Sequence, residues 1–414
     1  MPEKKRTVLQ PKYVSEFRCI GSACEDSCCL DGWEIYVDKA TYNKYAESNS
    51  EDLGDKLRKY IVPRIDQGKH DKEFARITLE KGAGCPFLTE KMLCSIHAKL
   101  GSEYLCNTCA TYPRVMNEVD GKLERCLTMS CPEVVRIALN NMQGISFEQI
   151  EEDEDIRVNI NSRLQLSKDR MMLPSNIFWD IRLFSLNTIQ DRSYSLGQRL
   201  MILGIAFNKI ESLFKEKRGL EVSSELEKIN RLVDAGALKK ELSSVKSNHD
   251  LQLKIAKELT DKQIQSGIQG ERYLSLLTEV LTGLDFKDKI DTTKISQAYQ
   301  YNLETYLKLY LKKKEYVLEN FLVNEFFKDI MPFGRFEKIW DSYIYLCLLY
   351  AVLKLHLNGI AGSRKRLEDD DVFQVIQSVS KTLTHSPTLM CSLIKLIKIN
   401  KFDTLAWMTI LVND

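Results

Sequence analysis

The sequence predicts a mainly α protein, in which an N-terminal cysteine-rich α+β region precedes an all-α helical region. Three observations carry this expectation. Ten of the twelve cysteines fall between Cys19 and Cys131, among short pieces rich in turn residues. Beyond that stretch, apolar residues recur at steps of three and four, the period of one helix face. At 414 residues the chain is long enough for two or three domains with cores of their own. The expected division is a cysteine-rich domain over 1–145, a linker over 146–170 and a helical domain over 171–414.

The opening MPEKKRTVLQPKYVSEF is charged and lacks an apolar stretch, so a signal peptide is not expected. Cys19, Cys24, Cys28 and Cys29 then crowd into eleven residues. ARITLEKG, from Ala75 to Gly82, alternates as a short strand does. CPFLTEKMLCSIH, from Cys85 to His97, reads as a tight hairpin or knuckle, with Pro86 fixing the backbone beside Cys85. CPEVVRIALNN, from Cys131, starts a helix with Pro132 in its first turn. The acidic run Glu151 to Asp155 marks a surface linker or loop.

Leu196, Leu200, Leu203, Phe207, Ile210 and Phe214 trace one apolar helix face. Leu226, Ile229 and Leu232 trace a shorter one, and Leu303, Tyr306, Leu307, Tyr310 and Leu311 another. The tyrosines on these faces read as core and rim packing. Tyr343 to Leu353 is the most apolar run, about half of the roughly 20 residues that span a bilayer. Asp341 and Lys354 bracket it, so a buried helix of a cytoplasmic protein is expected, with Cys347 and Cys391 as core thiols.

With 28% charged residues and a formal net charge of +1, the chain has no bulk basic charge to hold nucleic acid. No nucleic-acid and no membrane partner is expected. The short charge runs read as solvated faces.

In a reducing compartment, ten clustered thiols favour a metal or an iron–sulfur group over disulfides. Adjacent Cys28 and Cys29 seldom bond to each other, because the ring they would close strains the S–S geometry. The spacing is C-x4-C-x3-C-C, then C-x8-C-x11-C-x2-C-x16-C-x4-C. Thiolates are soft donors suited to zinc and to iron–sulfur clusters. Two assignments stay open at this level. Cys106, Cys109, Cys126 and Cys131 approach a four-cysteine zinc pattern, though the second pair is wide. Alternatively, the first group converges with Cys85, Cys94 and Cys109 on an iron–sulfur cluster. His97 follows Cys94 by three residues but reads as a surface or satisfied core histidine. There is no P-loop, H-E-x-x-H, G-x-S-x-G or glycine-rich dinucleotide fingerprint. Nor is there C-x3-C-x2-C, because position 31 is Asp.

The residues YVSEFRCIGSACEDSCCLDGWEIYVDKATYNKY, then CPFL and LCSIH, then LGSEYLCNTCATYPR, then LTMSCPEVVRIAL together resemble the flagellin lysine N-methylase family. The cysteine arrangement is similar to that of a broader group of zinc- or iron-chelating cysteine-cluster proteins. The motifs cover roughly residues 13 to 140, and the helical remainder fits in length and character.

The resemblance implies an S-adenosylmethionine-dependent enzyme that methylates flagellin lysines, with a four-iron–four-sulfur cluster at the methyl-donor site. Its implied ligands are drawn from Cys19, Cys24, Cys28, Cys29, Cys85, Cys94, Cys106 and Cys109. Cys126 and Cys131 stay in reserve, and zinc is the alternative metal. Two roles are open for Arg114 and Tyr112 in TYPR: pairing with the donor carboxylate and lining its pocket, or bracing the knuckle around Cys109. Trp33 either stacks on the sulfonium or begins a packed segment. No catalytic base is assigned; Asp26, Asp31 and Tyr112 are the candidates. Two non-methylating classes stand beside the enzyme: a zinc-binding adaptor, and a cluster-carrying redox protein.

Overall fold

The computed structural model describes residues 4–30, 35–48, 50–64, 71–79, 84–166, 175–265, 270–286 and 291–413. Among these residues eight strands form two sheets: β1 (Lys5–Pro11), β2 (Ile35–Val37), β3 (Ile61–Pro63), β4 (Ala75–Ile77), β5 (Arg114–Val119), β6 (Lys122–Leu127), β7 (Phe147–Asp153) and β8 (Ile160–Leu164). Helices make up most of the rest, so the protein is mainly α, as the sequence predicts.

The larger sheet has the order β7-β1-β6-β5-β8. Its nucleus is the hairpin β5–β6, closed at Asp120 and Gly121, whose φ angles of 49° and 77° suit a two-residue turn matching the twist of the strands. β1 lies parallel to β6 and antiparallel to β7, while β8 runs parallel to β5. The smaller sheet, β2-β4-β3, is antiparallel and has its own core.

The larger sheet is continuous with the helical core. Val119, Leu127 and Met129 share one apolar cluster with the helices Pro132–Leu139, Ser175–Gln190 and Tyr316–Lys328. At its centre Glu124 of β6 receives two hydrogen bonds from Arg182, at 2.7 and 2.9 Å, with both side chains buried. A buried pair of this kind fixes the docking geometry more than it stabilises it, since desolvation offsets the attraction.

The helix Ile339–Arg364 runs through the middle of the helical region. It is long and apolar enough to cross a membrane, yet its most apolar window is wholly buried within the protein. The helix Glu271–Gly283 crosses it so closely that a Cβ on Gly283 would meet the Gly359 carbonyl at 1.8 Å. Helix Leu196–Lys215 carries the predicted apolar face and starts with a Ser195/Gln198 capping box.

Several expectations change. Residues 146–170, expected as a linker, contain β7 and β8. Glu151 to Asp153 of the acidic run are strand, because β1 offers them an antiparallel register and Glu152 is paired by Arg6 and Arg125, while Glu154 and Asp155 turn. In helix Val222–Asp234 the apolar face ends at buried Val233, leaving Leu232 at 46% exposure. Cys347 is buried as expected, but Cys391 is exposed. Leu303–Leu307 and Ser380–Thr384 are π-helical turns.

Candidate functional site

The cysteine groups, far apart in sequence, meet where the loop after β1 packs on the small sheet. The contact is made by backbone: the Cys85 N–H donates to the Cys29 carbonyl at 2.7 Å. Gly84 allows this approach. Its φ is +73°, and a Cβ there would meet the carbonyl oxygens of Cys29 and Leu30 at 2.9 Å. Cys85 and Cys106 belong to the small-sheet core, with Cys29 and Cys94 packed against it. The knuckle of Cys85 to Cys94 is closed by a bridge between Leu88 and Cys94 and by Ser95, whose N–H and Oγ both donate to the Phe87 carbonyl at 2.8 Å.

Three cysteines sit at the residue before a helix: Cys94 before Ser95–Leu100, Cys106 before Asn107–Thr111 and Cys131 before Pro132–Leu139. Nearby backbone N–H groups, of Ile96 and His97, of Thr108 and Cys109, and of Glu133 and Val134 respectively, pull the thiol pKa values down, although none closes a cap hydrogen bond to sulfur. Such contacts stabilise thiolate. Burial opposes them, pushing Cys85 up to about 12 and Cys131 to about 11.

Within the pair Cys28 and Cys29, the neighbouring thiol lowers Cys29 to about 7, while contact with Cys29 and burial raise Cys28. Cys106 is lowered in the same way by Cys109. Cys28 and Cys109 are exposed residues, yet both sulfurs are engaged by these neighbours. Electrostatic contact joins Cys29, Cys85, Cys94, Cys106 and Cys109 into one set, and Cys19, Cys24, Cys28 and Cys131 into another, linked at Cys28–Cys29.

These thiols suit a thiolate-held metal group in kind: soft donors, held in tight turns, with N–H groups near the sulfurs. They do not form a closed cage. Among the described residues, no group of three or more His, Cys, Asp or Glu is arranged to hold a metal ion. Cys126 stands apart from the zinc pattern that its spacing suggests. It is 1% exposed in the core, where its thiol donates to Asn324 Oδ1 at 3.1 Å and lies 3.7 Å from the Tyr13 hydroxyl.

A polar network ties the cysteine loop to the C-terminal helices. Asp26, 8% exposed between Cys24 and Cys28, accepts from Lys381 Nζ at 2.9 and 3.0 Å and from Gln377 Nε2 at 2.7 Å. Gln377 also donates to the Ser130 carbonyl at 2.8 Å. Ser130 Oγ lies 3.1 Å from the Tyr112 hydroxyl and 2.8 Å from His385 Nε2. Tyr112 is therefore next to the cysteine loop. Trp33 and Asp31 lie outside the described residues.

Two clefts flank the loop. One, of about 410 Å³, is lined by Glu25, Arg136, Arg272, Asp370, Phe373 and Gln377. The other, of about 440 Å³, is lined by Arg114, Arg125, Arg157 and Glu152, with Ala110 and Thr111 beside Cys109. Sequence reasoning placed Arg114 near a pocket but missed Gln377, Lys381, His385, Arg125 and Arg157. No spacing signal marks them, because each comes to its cleft or network from an element remote in sequence from the cysteine loop.

Residues 182–411 match the family described as "FliB lysine N-methylase C-terminal domain". The chain is 23% identical over 392 residues to the "Lysine-N-methylase" of Salmonella typhimurium, covering 92% of this chain and 93% of that protein. The same figures hold for the protein of that name from Salmonella choleraesuis. It is 34% identical over 144 residues to "Flagellar biosynthetic protein FliU" of Salmonella muenchen, covering 34% of this chain and 83% of that protein. No solved structure matches.

Proposed function

The chain belongs to the FliB lysine N-methylase family and is a protein-lysine N-methyltransferase; on that premise we propose that it uses S-adenosylmethionine to methylate flagellin lysines in the cytoplasm, beside a cysteine-ligated iron–sulfur cluster. The observation that carries this reading is the likeness to Lysine-N-methylase over nearly the full length of both chains. The flagellar name of a second relative supports the substrate class.

Cys29, Cys85, Cys94, Cys106 and Cys109, with Cys28 bridging to Cys19 and Cys24, are the residues that would hold the cluster. When bound, it would supply an iron centre with affinity for the amino group of the donor. The chain's own residues do the remainder. A lysine amine has a reference pKa of about 10.4 and must lose a proton before its lone pair attacks the methyl carbon. The N–C bond then forms as the S–C bond breaks, and that electron pair leaves with the thioether. In the cleft where Arg136 already pairs Glu25, Asp370 offers a carboxylate to an ammonium and Phe373 a face to its stem. Lys381 and Gln377, by holding Asp26, keep the cysteine loop against the helices that form this cleft.

The test uses full-length protein purified without oxygen. Iron, sulfide and zinc are measured, and flagellin is then incubated with protein and S-adenosylmethionine and weighed by mass spectrometry. The reading expects iron and sulfide in near-equal amounts and flagellin heavier by whole methyl groups. Zinc alone in a colourless sample removes the cluster. A flagellin mass that stays fixed while donor and cluster are both present removes the substrate.

A further inference from the structure

The cleft behind the Cys109 helix holds more positive charge than its surroundings neutralise. Arg114, Arg125 and Arg157 line it, with Glu152 as the acidic side chain among them. Burial works against the Glu152 carboxylate, but hydrogen bonds from Arg125 and Arg6 hold its carboxyl below the ordinary range. Its charge is thus already shared between two guanidiniums.

The three arginines differ in what they still offer. Arg157 donates to the carbonyls of Leu105 and Glu103, at 2.5 and 3.3 Å. Arg125 is 9% exposed, and its Nε has no hydrogen-bond partner among the described residues although it is buried. A buried donor left in this state carries an uncompensated desolvation cost unless something accepts from it. The Arg114 side chain makes no hydrogen bond or ion pair among the described residues; its guanidinium lies 5.3 Å from the Phe17 ring centre. Partial burial, and then the charges of Arg125 and Arg18, lower the Arg114 pKa, the mark of a site too rich in cations. A planar fork of this kind matches a carboxylate.

Position narrows the choice of anion. Ala110 and Thr111 of the cleft wall follow Cys109 directly, and Arg114 lies within electrostatic reach of Cys19. The cleft therefore adjoins the thiol site, where the methyl donor acts. Its volume of about 440 Å³ and the apolar wall of Met116 and Ile156 suit a small molecule.

We propose that the cleft of Arg114 and Arg125 seats the α-carboxylate of the sulfonium methyl donor. This inference rests on S-adenosylmethionine being the donor, as read above. It assigns Arg125 as a donor-binding residue and gives the carboxylate a seat made by the protein itself.

The experiment measures binding of S-adenosylmethionine and of decarboxylated S-adenosylmethionine to the holoprotein and to Arg114→Gln, Arg114→Lys and Arg125→Gln. The second ligand keeps the sulfonium and the amine and lacks only the carboxylate. Wild type is expected to prefer the intact donor by about 10- to 100-fold, the range of a charge-assisted pair. Arg114→Gln should lose about 10-fold of that preference, while its affinity for the decarboxylated ligand stays the same. Arg114→Lys should recover part of the preference. Arg125→Gln disturbs the Glu152 pair, so the conclusion rests on Arg114 if that variant fails to fold. A wild type without preference, or an Arg114→Gln variant with undiminished preference, overturns the inference while methylation stands. If wild type binds neither ligand and transfers no methyl, the donor reading itself fails.

Discussion

Replacing Lys381 by Met tests whether the cysteine loop is held by charge from the C-terminal helices. Lys381 and Asp26 side chains are 13% and 6% exposed, so the pair is nearly dry. Removing one partner of a buried pair costs about 3–5 kcal/mol, mostly because the other charge is left uncompensated. Gln377 still donates to Asp26 at 2.7 Å, which places the expected cost at the lower end, about 3 kcal/mol. If that cost falls on the loop, its opening becomes about 10²-fold more frequent. The assay is hydrogen exchange by mass spectrometry over residues 21–30, where the Cys24 and Leu30 amides donate to Gly21 and Ser27. Lys381→Met should exchange there about 10²-fold faster at neutral pH, with the helix Leu196–Lys215 unchanged. The double variant Asp26→Asn with Lys381→Met should recover most of the protection, because no charge is left stranded. Unchanged exchange in the single variant, or a double variant worse than either single, would refute the account.

Other expectations are simpler to state. Cys126→Ala should keep the iron content of wild type, because the thiol sits with Tyr13 and Asn324 in the core, whereas Cys29→Ala should lower it; metal analysis decides. Gly84→Ala strains a φ of +73° and drives a Cβ against two carbonyls at 2.9 Å. It should cost the small lobe about 1–3 kcal/mol and weaken metal retention, read by thermal unfolding and iron content. His356, buried with Nε2 at 2.9 Å from the Tyr273 hydroxyl, is pushed down to about 4 by burial. Its folded pKa is below the unfolded 6.5, so the chain gains a proton on unfolding and stability falls as pH drops from 6.5 towards 4. Urea unfolding at pH 7 and pH 5 should show His356→Gln losing about 2 kcal/mol less than wild type over that step.

Much of the helical half was legible because its signal is local. Leu196 to Phe214 repeat at helix spacing, and the structure buries Leu200, Leu203, Phe207 and Ile210 along one helix. Pro132 marks a helix start for the same reason: its missing N–H costs nothing in a first turn. The misreadings are all matters of context. FEQIEED is acidic, yet it is strand β7 because β1 pairs with it and two arginines neutralise Glu152. Leu232 and Cys391 look like core residues in one dimension, but neighbouring helices cover other sides of their own helices.

The sequence by itself determined the helical character, the knuckle at Cys85, the helix start at Pro132 and the crowding of ten thiols between Cys19 and Cys131, because these follow from residue type and short spacing. It also carried the family resemblance. Tertiary structure alone decided which thiols meet and what surrounds them. It set Cys29 against Cys85 across Gly84, sent Cys126 into the core, brought Gln377 and Lys381 to Asp26, 351 and 355 positions earlier, and brought His385 to Ser130. It also gathered Arg114, Arg125 and Arg157 around one cleft. Charges converge in this way because a sheet and a helical core must close on each other, and closure over such chain distances leaves no period in the sequence to read.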